Sequence, residues 1–356
     1  MMILANNAAR YSYYDTKGNK PFPIELIFAI VFFSLMMGFR YEVGEDYPNY
    51  YESYKYGDFL ERFEYLFLFL SYTCYNLHLP VWVYFSILAF LQICFFTLYF
   101  RDELYVLPLI FLLLFVEGSY LFWLNGIRQA IALCIWLYAV RFIEKKELSK
   151  YLLFTAIAFG FHKSVIYLLL VYPLLKEGKD YFKNNYIQLF LLVVAIVVRL
   201  SFSNYLDSIE KLALFAQDTV NMGDYAVKLS DDVAREASGT GLAWLFYTFC
   251  YILVVCYSKR LKSFYKGNRF IIIYSLFFVG LFINICLPAN SVILSRPFRY
   301  LYIFQPIVIS YFCYYLQRIG RNERLLSYLI LVGYIGAFYL NQITATEDSH
   351  IWFKFL

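Results

Sequence analysis

The sequence predicts an all-α fold: a polytopic helical membrane protein of about 11 spans, with one more helix lying in the outer interface. Three observations predict it. The 356 residues are 62% hydrophobic and 22% aromatic, with a mean hydropathy of +0.57. No soluble core needs that much apolar surface. The apolar residues come in continuous runs of roughly 16 to 22, long enough to cross a bilayer and without the alternation of barrel strands. Charges segregate between loops, beneath a net charge of +5. The chain reads as a single polytopic domain, 1–356.

Residues 1–20 are polar (Asn6, Asn7, Arg10, Asp15, Lys17, Lys20) and lack an apolar core before Pro21. No cleavable signal peptide is expected there, and the first span acts as an uncleaved anchor. The spans are read at 22–39, 81–100, 104–119, 122–143, 151–161, 163–175, 186–203, 241–257, 269–287, 299–316 and 325–341. The loops 144–150, 176–185, 258–269 and 317–324 are basic and are placed inside. The loops 40–61 and 204–240 are acidic and are placed outside, the second as a loop or lid.

Parity settles two ambiguous segments. Were 62–77 a span, the lysines of 144–150 would fall outside. It therefore reads as an interfacial helix with a mixed start (Arg62, Glu64) and an aromatic body, making 40–80 an outer loop with its own helix. Segment 151–175 begins and ends inside with about 25 residues, too few for two full spans. It reads as two short helices meeting at Phe161-His162-Lys163-Ser164, a break that membrane proteins tolerate where it lines a cavity.

The seven cysteines sit in apolar segments, with no Cys-x-x-Cys and no two in one loop, and read as small buried hydrophobes. The histidines are too scattered to suggest a metal site, and neither metal nor cofactor is expected. A P-loop, a dinucleotide fingerprint, a Gly-x-Ser-x-Gly elbow and an Asp-x-Asp pair are all absent from the sequence. The positive charge is juxtamembrane, which argues against nucleic acid.

The polar residues that remain near the apolar spans are candidate functional groups. With this topology Arg40, Asp46, Arg128, Arg296 and Arg299 fall at or near the outer face, and His162 points towards it from within the bilayer. A basic, His-containing pocket there would suit an anionic lipid-linked substrate. Arg128, with Asn125 and Gln129 beside it, is either a snorkelling anchor or a diphosphate ligand. Arg296 and Arg299, flanking Pro297, are interface anchors or a clamp on one polyanion. His162, beside Lys163, is a core histidine satisfied by backbone or a group that takes a proton from a sugar hydroxyl or binds phosphate. Asp46 is a helix cap, a solvated charge, an arginine partner or a base. Tyr50 and the tyrosines near it form an interfacial belt or a sugar-stacking wall.

These residues carry a resemblance. Arg40–Tyr47, Ile127–Ala132, Phe161–Ser164 and Arg296–Tyr300 match, in order and spacing, four elements of the EpsG-like, Wzy-type polysaccharide polymerases. Each element is weak alone; the four in order are fairly specific and cover most of the chain. Two departures stand out. Family members usually have an additional apolar span before the one at 22–39, and Glu45 replaces a small or hydroxyl residue.

The resemblance implies a metal-independent glycosyltransferase of the bacterial cytoplasmic membrane, facing outward, that builds O-antigen, capsule or exopolysaccharide. Its donor and acceptor are undecaprenyl-diphosphate-linked oligosaccharides, with a chain-length regulator and a flippase of the same pathway as partners. The outer interfacial helix after an acidic loop is also similar to GT-C type enzymes. On this reading His162 and Asp46 are the catalytic candidates. Arg40, Tyr50, Arg128, Gln129, Lys163, Arg296 and Arg299 bind substrate. The alternatives are a flippase of lipid-linked oligosaccharide, which should show internal repeats and polar groups through the bilayer depth, and a membrane O-acyltransferase using His162.

Overall fold

The computed structural model describes residues 1–14, 23–44, 46–59, 63–201, 241–287, 295–344 and 354–355. The acidic segment expected at 204–240 lies outside the described residues. Almost everything described is helix; the exception is a two-residue antiparallel ladder, β1 (Arg40–Tyr41) with β2 (Lys354–Phe355). The chain divides into two compact units, Met1–Glu177 with Leu331–Leu356, and Gly178–Ile330.

The first unit contains α1 (Met2–Tyr14), α2 (Ile24–Gly38), α3 (Tyr47–Tyr56), α4 (Tyr65–Asn76), α5 (Val81–Tyr99), α6 (Leu107–Val116), α7 (Ser119–Asn125), α8 (Ile127–Glu144), α9 (Leu148–Phe161) and α10 (Val171–Leu175). A 3₁₀ turn at Leu104–Val106 precedes α6, and a 3₁₀ helix, Lys163–Leu170, joins α9 to α10. Its centre is α8, apolar on every face except at its ends and buried nearly throughout, as an all-round apolar helix must be. Helix α8 packs on α5 and α9, α5 packs on α2, and α1 packs on α2 and α6 with Ala5 and Ala8 fully buried. Helix α1 was not expected from the polar composition of residues 1–20; two small residues on one face let it approach its neighbours closely.

Helix α4 falls within the expected interfacial segment 62–77. It buries Phe67, Ser71 and Cys74, a helical stripe, and leaves Tyr65 and Phe69 largely exposed.

The second unit contains α11 (Asn185–Leu200), α12 (Leu242–Phe264), α13 (Asn268–Cys286), α14 (Arg299–Tyr302), α15 (Phe304–Ile319) and the first part of α16 (Arg321–Thr344). Helix α13 packs on α11 and α15, and α12 packs on α15. Several polar side chains in these helices pair with one another or with backbone. Gln305 accepts from Tyr251 and Asn284 at 3.1 Å each, and Lys262 donates to Asp180 at 2.7 Å and to the Phe182 carbonyl at 2.5 Å.

The span count differs from the sequence reading. Among the described residues four helices are long and apolar enough to cross a membrane: Val81–Tyr99, Leu242–Phe264, Asn268–Cys286 and Arg321–Leu340. A fifth forms if Leu104–Val116 and Ser119–Asn125 are one span bent by 67°. Ile24–Gly38, Leu148–Phe161, Lys163–Leu175 and Asn185–Leu200 are shorter apolar helices, and α8, at 18 residues, carries Arg128, Arg141 and Glu144. The segment read as one span at 122–143 is split at Gly126, which ends α7 and begins α8. Segment 163–175 is mostly 3₁₀, and 299–316 is divided at Ile303. Basic connections are also tighter than expected: α12 runs on to Phe264, and Gly320 alone separates α15 from α16.

Candidate functional site

Four segments of the first unit converge: the loop after α2, the start of α4, the α7–α8 break and the α9–3₁₀ break. After Gly38 the chain extends through Arg40–Tyr41, then turns at Glu42 (φ 51°) and Gly44 (φ 101°). A Cβ on Gly44 would lie 2.2 Å from Asn125 Oδ1. Glycine is thus required twice, for its dihedral and for the close approach of the loop to the end of α7. Tyr47 N–H then donates to the Gly44 carbonyl at 3.1 Å and α3 begins.

Arg40 is 3% exposed. Its guanidinium carbon lies 4.8 Å from the Phe85 ring centroid and 5.7 Å from that of Tyr47. Nη2 donates a long bond of 3.4 Å to the Leu124 carbonyl, and Nε has no hydrogen-bond partner among the described residues. Among the described residues no carboxylate pairs with it. Burial pushes its pKa down to about 10, so it stays cationic at neutral pH. The Tyr47 hydroxyl and Asn125 Oδ1 are also buried without partners among the described residues.

Arg128 is held differently. Its Nη1 forms an ion pair with Glu64 Oε2, its Nε donates a long 3.5 Å bond to the Tyr50 hydroxyl, and its guanidinium carbon lies 4.3 Å from the Phe63 ring centroid. Glu64 is 7% exposed, and its other oxygen, Oε1, accepts the Lys163 backbone N–H at 3.2 Å. One carboxylate therefore ties the start of α4 to Arg128 and to the turn carrying His162. Tyr50 is buried between Phe63 and Phe67, and burial pushes its phenol up.

His162 ends α9 in an extended conformation (φ −160°) and caps the 3₁₀ helix. Nδ1 lies 2.7 Å from Ser164 Oγ and accepts the Ser164 N–H at 3.3 Å. One tautomer satisfies both contacts, with Nδ1 accepting from the Ser164 N–H and hydroxyl; the other keeps only the contact to Oγ. The backbone N–H needs a lone pair on Nδ1, whereas an Nδ1–H donated to Oγ leaves the lone pair on Nε2. Tyr151 steadies this segment: its hydroxyl donates to the Leu168 carbonyl at 2.5 Å and accepts from Trp136 Nε1 at 3.2 Å.

Of the residues expected in the site, Tyr50, Arg128, His162 and the backbone of Lys163 come together here, with Arg40 at the neighbouring end of α7. The Lys163 side chain is exposed and Gln129 is buried. Asp46 is half-buried at the N-terminus of α3, without a side-chain capping bond, and bears electrostatically on Tyr50. Arg296 and Arg299 belong to the second unit. They lie on adjoining short helices three residues apart, Arg296 exposed and Arg299 half-buried.

Two residues of the site escaped the sequence reading. Glu64 was read only as part of an interfacial start, although it is the one acid in the aromatic stretch 63–77. Gln92 is 2% exposed in α5 and donates to the Trp123 carbonyl at 3.1 Å, serving a carbonyl left over where α7 stops. Among the described residues no group of three His, Cys, Asp or Glu side chains is placed to hold a metal ion.

No curated protein and no solved structure matches this chain. One family model does, described as the EpsG family, over residues 24–356. The match takes in Arg40, Glu64, Arg128, His162 and every other element of the site, and on that ground the chain belongs to the EpsG family.

Proposed function

We propose that this membrane protein is a polysaccharide polymerase that moves a growing glycan from a polyprenyl diphosphate to a sugar hydroxyl of a second lipid-linked repeat. Membership of the EpsG family supports the polymerase reading at a coarse level. The observation that carries the donor chemistry is Arg40, a buried guanidinium with no carboxylate partner among the described residues. A buried cation is costly until a counter-charge reaches it, and the planar fork of arginine matches phosphate oxygens. A diphosphate supplies that charge.

In the proposed step the acceptor hydroxyl oxygen attacks the anomeric carbon of the donor sugar. The bond from that carbon to the diphosphate oxygen breaks, and the polyprenyl diphosphate leaves with the electron pair. His162, in the tautomer that donates Nδ1–H to Ser164 Oγ, takes the hydroxyl proton at Nε2; Asp46 is the second candidate. Arg40 and Arg128 stabilise the charge gathering on the leaving group. The active face is proposed to look outward from the bacterial cytoplasmic membrane, with α4 in the outer interface in a GT-C-like arrangement.

The test is donor consumption by purified protein in detergent, with a defined lipid-linked oligosaccharide. Polymer and free polyprenyl diphosphate are the expected products. A protein that moves the lipid across proteoliposomes while leaving it chemically intact is a flippase, and the proposal fails.

A further inference from the structure

We infer that Glu64 is a positioning residue of the donor site, fixing the Arg128 guanidinium and hitching it to the turn that carries His162. This rests on the glycosyltransferase reading above. Glu64 spends its two oxygens on different elements. Oε2 pairs with Arg128 at the start of α8, and Oε1 holds the Lys163 N–H at the α9–3₁₀ break. Phe63, the residue just before it, lies against the guanidinium at 4.3 Å, and the Tyr50 hydroxyl reaches Nε. Arg128 is thus bounded by a carboxylate, a ring and a phenol, which leaves little freedom to the orientation of its remaining donors. Its side chain still keeps 21% of its exposure, so that edge is open to a ligand.

Two consequences follow from the charges. The Arg128–Glu64 pair is neutral, so of the two arginines Arg40 is the one not offset by an ion pair among the described residues. A carboxylate this near the diphosphate weakens ground-state binding. Its return is geometric: the group that binds the leaving phosphate and the group beside the acceptor hydroxyl are set by a single side chain. Misplacement of such groups by about 1 Å can cost roughly a hundredfold in rate.

This separates Glu64 from an ordinary structural ion pair. Glu64→Gln keeps the shape and an oxygen for the Lys163 N–H but removes the charge that orients Arg128. Polyprenyl diphosphate should then bind roughly fivefold more tightly, through loss of a partly screened repulsion. Turnover should fall by about ten- to a hundredfold. Glu64→Asp keeps the charge but is one methylene too short to span both partners, so donor affinity should stay near wild type while turnover falls. Combined with Arg128→Ala, Glu64→Gln should cause no further fall in turnover, because for turnover the two substitutions remove one interaction.

The experiment measures polyprenyl diphosphate binding and single-turnover transfer on full-length protein in detergent, at equal amounts of folded material. Affinity rising while turnover falls in Glu64→Gln supports the inference. Unchanged turnover, or affinity and turnover falling together, overturns it. If Glu64→Gln does not fold, Glu64→Asp decides: normal turnover in that variant also overturns it. A wild-type protein that transfers no sugar sinks the polymerase reading instead. An active wild type with an indifferent Glu64→Gln sinks only the role of Glu64.

Discussion

Replacing Arg40 by methionine should separate what this residue does for the fold from what it does for the ligand. An unpaired cation taken out of water costs several kcal/mol even after relaxation. The two aromatic faces at 4.8 and 5.7 Å return about 1–3 kcal/mol together. The long bond to the Leu124 carbonyl adds about 0.5–1 kcal/mol. A deficit of about 1–3 kcal/mol remains in the ligand-free protein. Methionine keeps the apolar stem between the rings of Phe85 and Tyr47 and removes the charge. The ligand-free Arg40→Met protein should therefore melt no lower than wild type, and up to a few degrees higher. Wild type should gain melting temperature when polyprenyl diphosphate is added, by mass action, and Arg40→Met should gain almost nothing. Arg40→Lys keeps the charge, loses the fork, and should fall between them. A scanning melt in detergent, with and without ligand, reads all three. The reasoning is refuted if Arg40→Met melts as low as a core truncation, or if it responds to polyprenyl diphosphate as wild type does.

Gly44→Ala should cost about 1–3 kcal/mol, because φ 101° is strained for alanine and its Cβ meets Asn125 Oδ1; a melt lowered by less than a degree contradicts this. Tyr151→Phe removes the hydroxyl that joins Trp136 to the Leu168 carbonyl and should destabilise by about 1–3 kcal/mol, with faster hydrogen exchange across 163–170. His162→Ala should keep donor affinity while lowering polymer yield by about 10²–10⁴-fold, whereas Arg128→Ala should weaken both; near-normal yield from His162→Ala would leave that residue as a helix cap alone. Single cysteines at the exposed positions 52 and 266 should label with a membrane-impermeant reagent in intact cells at the first and not at the second.

What the sequence made legible was chiefly local. Apolar runs gave the helices, and the break at 161–164 was readable because His162, Lys163 and Ser164 interrupt an apolar stretch with polar groups that have to be explained. The break at Gly126 was not read although Asn125, Arg128 and Gln129 flank it, because the apolar run resumes at once and continues to residue 143; what makes the break tolerable is Gln92, about thirty residues earlier in the chain. Glu64 was hidden for a similar reason. An acid at the head of an aromatic helix looks solvated until α8 and the turn after α9 are folded against it. Arg40 was visible as a candidate, but its distinguishing property, burial without a counter-charge among the described residues, belongs to the packed loop and to no spacing of residues.

The glutamine at position 92 also constrains how the protein is assembled. Helix α5 leaves the ribosome before the segment that carries Trp123 does, so early in insertion its amide lacks the partner it has in the folded protein and faces lipid or the translocation machinery. The side chain is satisfied only when the kinked segment after Gly118 arrives and docks. Substitutions that stiffen that kink would then appear first as degraded, incompletely assembled chains in the cell, before any defect could be measured in a folded enzyme.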